Sequence, residues 1–468
     1  MKSSLPKVLH PLLGRTLLGH VLAAAGPLRA DRTVVVVGHG ADQVRAHLTD
    51  VAPAATPVLQ ERQLGTGHAV RIALDAVPDA TGTVVVINGD VPLLRPETVR
   101  ALVEAHEEAA AAATVLAAEV PDPTGLGRIV RDVQGHLEQI VEERDASPQQ
   151  RALREINAGI YAFDAARLRE ALGKLSTDND QGEEYLTDVF ALLRDAGEPV
   201  AVHCAADYVE TLGCNDRVEL SALRRLLRDR VNEGWMRTGV SILDPHTTWI
   251  DVTVTVERDA VIDQNTQLQG ATVVGAGALV GPDTTLVDTV VGAGASVVRS
   301  HALGAEVGPE ASVGPYAYLR PESRLGRKAK VGTFVETKKT SIGEGSKVPH
   351  LSYVGDATIG DHSNIGAATV FVNYDGVRKH HTTIGSHART GADNMFVAPV
   401  RVGDGAYTAA GSVITGDVPP GAMAVARGQQ RNVEGWVLRK RAGTEAAEAA
   451  RRAGEDAPES GAAAREGD

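Results

Sequence analysis

The sequence predicts an α/β Rossmann-like domain followed by a parallel β-helix of hexapeptide repeats, and three observations carry that expectation. Roughly the first two hundred residues alternate short apolar runs with segments of helical period, as βα units do. Beyond about residue 239, pairs of an aliphatic residue and a glycine recur about six residues apart. Aromatics are only 3% of the 468 residues while glycine reaches 49, so part of the chain must bury small and β-branched side chains without large rings.

In the first part, "TVVVVGHG" at residues 33–40 and "GTVVVINGD" at residues 82–90 read as fully buried parallel strands ending in glycine turns. "PETVRALVEAHEEAAAAATVLAAEV" reads as a helix running into another strand. Such a doubly wound sheet binds ligands outside the carboxyl ends of its strands. At residues 218–231, "VELSALRRLLRDRV" spaces apolar residues three and four apart among arginines, which predicts an amphipathic connecting helix at the domain boundary.

The repeats follow, in pairs such as Val274-Gly275, Val280-Gly281, Val307-Gly308, Val313-Gly314, Val331-Gly332, Ile342-Gly343 and Ile359-Gly360. A self-similar short period signals a solenoid in which each coil contacts only its neighbours. A Gly/Val-rich sandwich with regular turns is the weaker alternative, because the six-residue phase is sustained so long. "FVNYDGVRKHHT" interrupts that phase and predicts an exposed excursion. Beyond Trp436 the chain turns Ala/Glu/Arg-rich with almost no bulky apolar residues, which predicts a disordered tail with some transient helix. The expected divisions are residues 1–216, a linker helix at 217–238, a β-helix at 239–436 and a tail at 437–468.

A formal charge of −13 argues against a general nucleic-acid surface and leaves metabolites as partners, held by local basic clusters. Cys204 and Cys214 form no zinc-type pattern and no disulfide framework, which suits a reducing compartment and a filler role. No apolar run approaches the roughly 20 residues that span a bilayer, so the expectation is a soluble, cytoplasmic protein without a membrane span.

Several residues of the first part carry candidate chemistry. Gln60 stands at a predicted strand end just before the tight Gly65-Thr66-Gly67 turn; its amide offers donor and acceptor to a pyrimidine edge, although such a turn is more often only a turn. Asp90, at the carboxyl end of a buried strand, fits either a divalent metal bound with phosphates or a helix N-cap. Lys7, "GTGHA" and "NGDVPLL" in this order resemble the sugar-1-phosphate nucleotidylyltransferases. With "DPTGLGRIV", "IVEERDAS", "INAGIYAF" and "GCNDR" added, the resemblance is to the bifunctional uridylyltransferase/acetyltransferase family that makes UDP-N-acetylglucosamine.

That resemblance implies that Gln60, Gly65 and Thr66 hold the uracil end of UTP, and that Asp90 and Asn215 hold Mg²⁺. It places Gly127, Glu142 and Asn157 around the acetamido sugar, with Lys7 among the cations facing the phosphates. The reaction implied is attack of a sugar phosphate on the α-phosphate of UTP, with pyrophosphate leaving. In this family a first strand and a loop of the form Leu-Ala-Ala-Gly-x-Gly-Thr-Arg-Met precede the Pro-Lys, whereas this sequence begins at the position of that Met. The expectations drawn are a missing central strand, an exposed hydrophobic groove and loss of nucleotidyl transfer.

The second part resembles the hexapeptide acyltransferases, which are left-handed parallel β-helices, and the likeness to the same bifunctional family continues in "AYLRPES", "GTFVETKKTSIG", "VPHLSYVGD", "NIGA", "VNYDG" and "ARGQQRN". One of 15 histidines, His350, stands in the "HLSYVGD" context and is the candidate base for the amine of glucosamine-1-phosphate as it attacks the acetyl-CoA thioester. The likeness places Arg320, Lys338, Tyr353 and Asn364 around the sugar phosphate, and Asn373 and Tyr374 beside acetyl-CoA. It adds Lys379 and Arg427 at the cofactor's phosphates and Ala410 at the pantetheine. Lys339 reads as a solvated neighbour of Lys338. Ala392 takes the place of the small hydroxyl residue expected there, so a backbone group or water replaces one hydrogen bond to acetyl-CoA.

A β-helix prism with flat aliphatic faces suggests a closed oligomer, and the likeness implies a homotrimer with acetyltransferase sites between subunits. The first expectation is thus a two-reaction enzyme, acetyl transfer then uridylyl transfer, supplying cell-wall and lipopolysaccharide precursors. An acetyltransferase alone and a non-catalytic scaffold of the same layout are the alternatives.

Overall fold

The computed structural model describes residues 1–179 and 181–455. The first domain opens with a short hairpin, β1 (Pro11–Leu12) and β2 (Arg15–Thr16), followed by α1 (Leu17–Ala25). Then come β3 (Val34–Val37), α2 (Ala41–Val51), β4 (Thr56–Leu59), α3 (Thr66–Asp75), β5 (Thr83–Ile87) and α4 (Pro96–Glu108). The rest comprises β6 (Ala113–Glu119), β7 (Arg128–Arg131), β8 (Leu137–Val141), α5 (Pro148–Arg151), β9 (Glu155–Asp164), α6 (Ala165–Leu172), α7 (Asp188–Asp195) and β10 (Val200–Cys204). β6, β9, β7 and β8 form a mixed sheet edged by β10, with β5 joined antiparallel to β9.

Two expectations for this domain need correction. The 82–90 segment is a strand, but its hydrogen-bonded partner β9 runs antiparallel, so the sheet is mixed rather than uniformly parallel. Neither β3 nor β5 is fully buried: all five residues of β5 and three of four in β3 are only half-covered. The reason is that the two do not pair. Among the described residues β3 pairs with β4 alone and β5 with β9 alone, and their other edges face a cavity of about 2750 Å³ walled also by Leu18 and Leu22 of α1 and Val70 and Leu74 of α3. Backbone groups on those edges are left without ladder partners.

The amphipathic helix α8 (Arg217–Arg237) is longer than its sequence pattern. Asp216 caps it, accepting from the backbone N–H of Val218 and Glu219. Its apolar side, Leu220, Leu223 and Leu227, packs with Leu12, Leu17 and Leu93 of the first domain. Its other end docks on the second domain, where Asn232 Nδ2 donates to the carbonyls of Pro245 and Thr248 and Arg228 lies 4.8 Å over the Trp249 ring. The first hairpin also touches the first coil, with Val252 N donating to Leu13 O.

The second domain is a parallel β-helix whose short strands stack in register on three faces. One inner column runs Ile242, Ile262, Val280, Val297, Val313, Val331 and Val348. A second runs Ile250, Leu268, Leu286, Ala302, Leu319, Thr337 and Val354. A third runs Val256, Val274, Val291, Val307, Leu325, Ile342 and Ile359. All of these side chains are buried, so the six-residue period in the sequence is the repeat of one face. Coil spacing is tight enough that a Cβ on Gly332 would lie 1.9 Å from the carbonyl of Pro349, which is why glycine stands there.

Residues 373–381 leave the coil between the strands Val370–Val372 and Thr382–Ile384, as the broken phase predicts. The tail expectation is corrected in part: Trp436–Lys440 and Glu445–Glu455 are helices α9 and α10, with Ala447 fully buried. Alanine, glutamate and arginine favour helix, and acidic residues at the start with arginine at the end of α10 complement the helix dipole. The remainder of that expectation, residues 456–468, lies outside the described residues. Also among the described residues, no helix is long and apolar enough to cross a membrane.

Candidate active sites at the sheet edge and on the helix prism

The first site lies where the cavity opens at the carboxyl end of β5. A single 3-10 turn, in which Leu9 N donates to Pro6 O and Leu9 is buried, presents Lys7 toward it. Lys7 Nζ is 2.6 Å from Asp90 Oδ2 and 3.2 Å from Asn215 Oδ1. One cation thus bridges the two oxygens proposed from sequence as metal ligands, residues that lie 125 positions apart in the chain. Both are hard oxygen donors, and together they suit a divalent ion such as Mg²⁺, which completes its shell with water and substrate phosphates. No group of three or more His, Cys, Asp or Glu side chains able to hold a metal occurs among the described residues.

Further along the same cavity Gly127, Glu142 and Asn157 converge. A Cβ on Gly127 would stand 3.4 Å from Glu142 Oε2 and 3.5 Å from Asn157 Cβ, so the glycine leaves space between the two polar side chains. Asn157 Nδ2 donates to Tyr161 Oη at 2.8 Å, and its Oδ1 accepts from Gly159 N at 2.9 Å. Glu142 is half-buried and takes a long hydrogen bond from Thr187 Oγ1 at 3.5 Å. Burial above all, then the nearby carboxylates of Asp145 and Asp188, holds the Glu142 carboxyl above its ordinary range against the opposing Thr187 bond.

Gln60 and the Gly65 turn form a separate wall. Gln60 Nε2 donates to Gly65 O at 3.1 Å and meets His68 Nδ1 at 3.0 Å. Gly65 has φ +107°, and a Cβ there would sit 2.4 Å from the carbonyl of Glu184, so only glycine fits. Thr66 opens α3, and its Oγ1 accepts from Leu186 N at 3.0 Å. The segment carrying Glu184 closes this turn, with Glu184 O accepting from Gly67 N and its carboxylate paired with Arg71 at 2.7 Å. Sequence reasoning missed Glu184 and Thr187 because they lie in an irregular stretch with no periodic signal.

On the β-helix, Arg320, Lys338, Tyr353, Asn373 and Lys379 come together. The strand Glu336–Ile342 carries Lys338, the next strand Tyr353–Ile359 carries Tyr353, and the 373–381 excursion folds back to bring Lys379 against Lys338. The adjoining Lys379 lowers the Lys338 ammonium from its ordinary range, with Arg320 adding to the effect. Arg320 is held by Glu336 at 2.9 Å. Lys339 faces away and pairs with Glu322 at 3.4 Å, the solvated role expected of it. The excursion is stiffened by Asp375, which accepts from the backbone N–H of Val377 and Arg378 and from His380 Nε2, contacts that hold its carboxyl well below the usual range. Tyr374 is exposed and donates to Gly376 O.

The remaining candidates stand elsewhere. His350 ends the strand Lys347–His350, which belongs to a different face of the prism from Tyr353, with the corner residue Leu351 between them. The His350 imidazole is exposed. Asn364 bridges Lys347 and Arg389 on that same face. Ala392 and Ala410 occupy successive coils, Gly411 N donating to Ala392 O, and Arg427 is exposed near the end of the helix. One chain therefore gathers a cationic wall but presents the histidine on the adjoining face. Sequence reasoning missed Asp356, whose carboxylate accepts from Asn373 Nδ2 at 2.5 Å.

Residues 1–160 match the family model described as the MobA-like NTP transferase domain. Nearly the whole chain is similar to curated proteins named bifunctional protein GlmU. Identity to the Streptomyces coelicolor protein is 63% over 452 residues, spanning 96% of this chain and 94% of that one. The Streptomyces avermitilis protein is 62% identical over the same shares, and that of Thermobifida fusca 60% identical over 97% of this chain and 94% of its own. Coverage this full does not support the expectation of a form that has lost its first strand and with it one activity; the groove between β3 and β5 stands as a feature of the fold described above.

Proposed function

Because the chain belongs to the bifunctional GlmU family, we propose that its two domains carry out successive reactions that make UDP-N-acetylglucosamine. The β-helix transfers acetyl from acetyl-CoA to glucosamine-1-phosphate. The first domain then transfers uridylyl from UTP to the N-acetylglucosamine-1-phosphate so formed, releasing pyrophosphate. The single observation that carries the reading is near-complete alignment at 63% identity, which spans both domains.

In acetyl transfer the His350 imidazole takes a proton as the sugar amine attacks the thioester carbonyl, and coenzyme A leaves as the thiolate. Arg320, Lys338 and Lys379 meet the anionic phosphate groups of the two substrates, supported by their convergence on one wall. Tyr353 and Asn364 complete the sugar site, while Asn373, Tyr374, Ala392, Ala410 and Arg427 contact acetyl-CoA. Since His350 lies on a different face from the cationic wall, the site is closed by a neighbouring copy, in a homotrimer. Tyr316, Phe334 and Leu351, an exposed apolar ridge whose two rings stack at 5.5 Å, supply the surface that association would cover.

In uridylyl transfer an oxygen of the sugar phosphate attacks the α-phosphorus of UTP in line with departing pyrophosphate. Lys7 places a positive charge on the phosphates, and Gln60, Gly65 and Thr66 hold the uracil. Gly127, Glu142 and Asn157 orient the acetamido sugar. Mg²⁺ held by Asp90 and Asn215 would supply charge neutralisation for the phosphates. The protein acts in the cytoplasm on precursors of the cell wall, where its free Cys204 and Cys214 stay reduced.

The test supplies glucosamine-1-phosphate, acetyl-CoA, UTP and Mg²⁺ to the purified chain and follows each product. UDP-N-acetylglucosamine is expected, and His350→Ala should lower acetyl transfer by about 100-fold or more while uridylyl transfer from added N-acetylglucosamine-1-phosphate continues. An unchanged acetyl-transfer rate in that variant would overturn the general-base assignment.

A further inference from the structure

The corner that turns the coil beside Tyr353 carries three stacked residues, Glu322, Lys339 and Asp356, all in the left-handed conformation. Glu322 and Lys339 pair with each other, as surface charges on adjacent coils do. Asp356 instead points into the acetyl-transfer wall, where its Oδ2 accepts from Asn373 Nδ2 at 2.5 Å. The same Nδ2 also reaches Tyr353 Oη, at 3.3 Å. Asn373 itself is buried, at 8% exposure.

An amide side chain can flip, exchanging its donor and acceptor ends at little cost, unless a neighbour discriminates between them. An ionised carboxylate discriminates absolutely, because it only accepts. With Asp356 against it, Asn373 must turn its NH₂ inward and leave Oδ1 outward. Among the described residues, no donor of this chain reaches that oxygen. Around it the cations Lys338, Lys379 and Arg320 repel one another, and Asp356 is the anion that faces Lys338.

We propose that Asp356 is a positioning residue for acetyl transfer: it locks the Asn373 amide so that Oδ1 is presented as a hydrogen-bond acceptor to an N–H of the bound substrates. The inference rests on the acetyltransferase reading given above and deepens it. Two groups offer that N–H, the amine of the amino sugar and the amides of the pantetheine arm. An acceptor held beside the attacking amine orients its lone pair toward the thioester; one held beside a pantetheine amide fixes the thioester instead. Either way the oxygen must be on the outer side before substrate arrives, and the Asp356 carboxylate sets that.

The experiment measures kcat and both KM values for acetyl transfer in the full chain carrying D356A, D356N, N373D or the exchanged pair D356N/N373D. Uridylyl transfer and thermal unfolding of each variant report whether the fold is intact. D356A and D356N should each lose about 30-fold in kcat/KM, because neither alanine nor an amide that both donates and accepts discriminates between the two ends of the Asn373 side chain. N373D sets two carboxylates face to face and should be severely impaired. The exchanged pair restores one donor and one acceptor between the two positions, leaves an oxygen outward, and should recover about 10-fold over N373D. A loss confined to kcat supports contact with the amine, and a rise in KM for acetyl-CoA supports contact with the pantetheine amide. A D356N chain that keeps wild-type kcat/KM, or an exchanged pair no better than N373D, would overturn the assignment. A wild-type chain that does not acetylate glucosamine-1-phosphate would overturn the reading beneath it.

Discussion

The two domains bury their aliphatic residues in opposite ways. In the β-helix each buried residue of an inner column sits on a buried, mostly aliphatic residue one coil earlier, and most strands between the first and last coils have a neighbour on both edges. In the first domain the sheet is interrupted: β3 and β4 stand apart from β5 and β9, and the valines of β3 and β5 border a groove rather than one another. A solenoid satisfies its backbone through nearest neighbours, so its core closes coil by coil. A doubly wound sheet must bring distant segments to one edge, and any edge left unpaired exposes apolar walls on both sides.

The sharpest way to break the comparison is to disable one domain and ask whether the other notices. Lys7→Ala should lower uridylyl transfer by about 100-fold, since it removes the cation bridging Asp90 and Asn215, and should leave acetyl transfer unaltered. Parallel assays of the two half-reactions check this; a matching fall in acetyl transfer would mean that the domains do not act separately.

A smaller effect compares the two kinds of packing with one substitution. Val280→Ala removes a fully buried side chain from an inner column and should cost about 2 kcal/mol. Val85→Ala, in a strand bordering the groove, should cost about 1 kcal/mol or less, because its surroundings are half-open already. Denaturant unfolding, followed with probes in each domain, distinguishes the two; equal losses would show that the groove is closed in solution.

The smallest effect concerns Glu142. Burial raises its carboxyl above the ordinary range, so the folded chain holds that proton more tightly than the unfolded chain. Its ionisation therefore costs stability as pH rises between the unfolded and the raised folded value, and the whole cost is present above the latter. Glu142→Gln should accordingly be slightly more stable than wild type at pH 7, with the advantage shrinking as pH falls through that window. It should also weaken uridylyl transfer by removing the sugar contact proposed for Glu142. Thermal unfolding against pH reads the first effect, and an advantage that grows on acidification would reverse the sign assigned to burial.

How far each region was legible follows from the range of the interactions that build it. The aliphatic-glycine pairs from Val274 to Ile359 announced the coil because each repeat is set by residues within one turn of the solenoid. Lys338 and Lys339 are adjacent in sequence, and the family likeness placed the first at the site while the second read as its solvated neighbour; the left-handed corner at Lys339 turns it away. The antiparallel pairing of β5 with β9, by contrast, joins Val85 to Ala162, and nothing in either stretch specifies direction. The helices of the tail were underread because composition suggests disorder, whereas Ala447 finds a place to bury.

By itself, then, the sequence determined the solenoid, the connecting helix, and the chemical types offered at Lys7, Asp90, Lys338 and His350, since period and functional group are local properties. Tertiary structure alone decided that one ammonium would bridge Asp90 and Asn215, that β3 and β5 would face each other across a groove, that His350 and Tyr353 would stand on adjoining faces, and that Asp356 would set the direction of the Asn373 amide. Each of these is a distance or an orientation between segments remote in the chain, fixed only when packing and hydrogen bonding are satisfied throughout the fold.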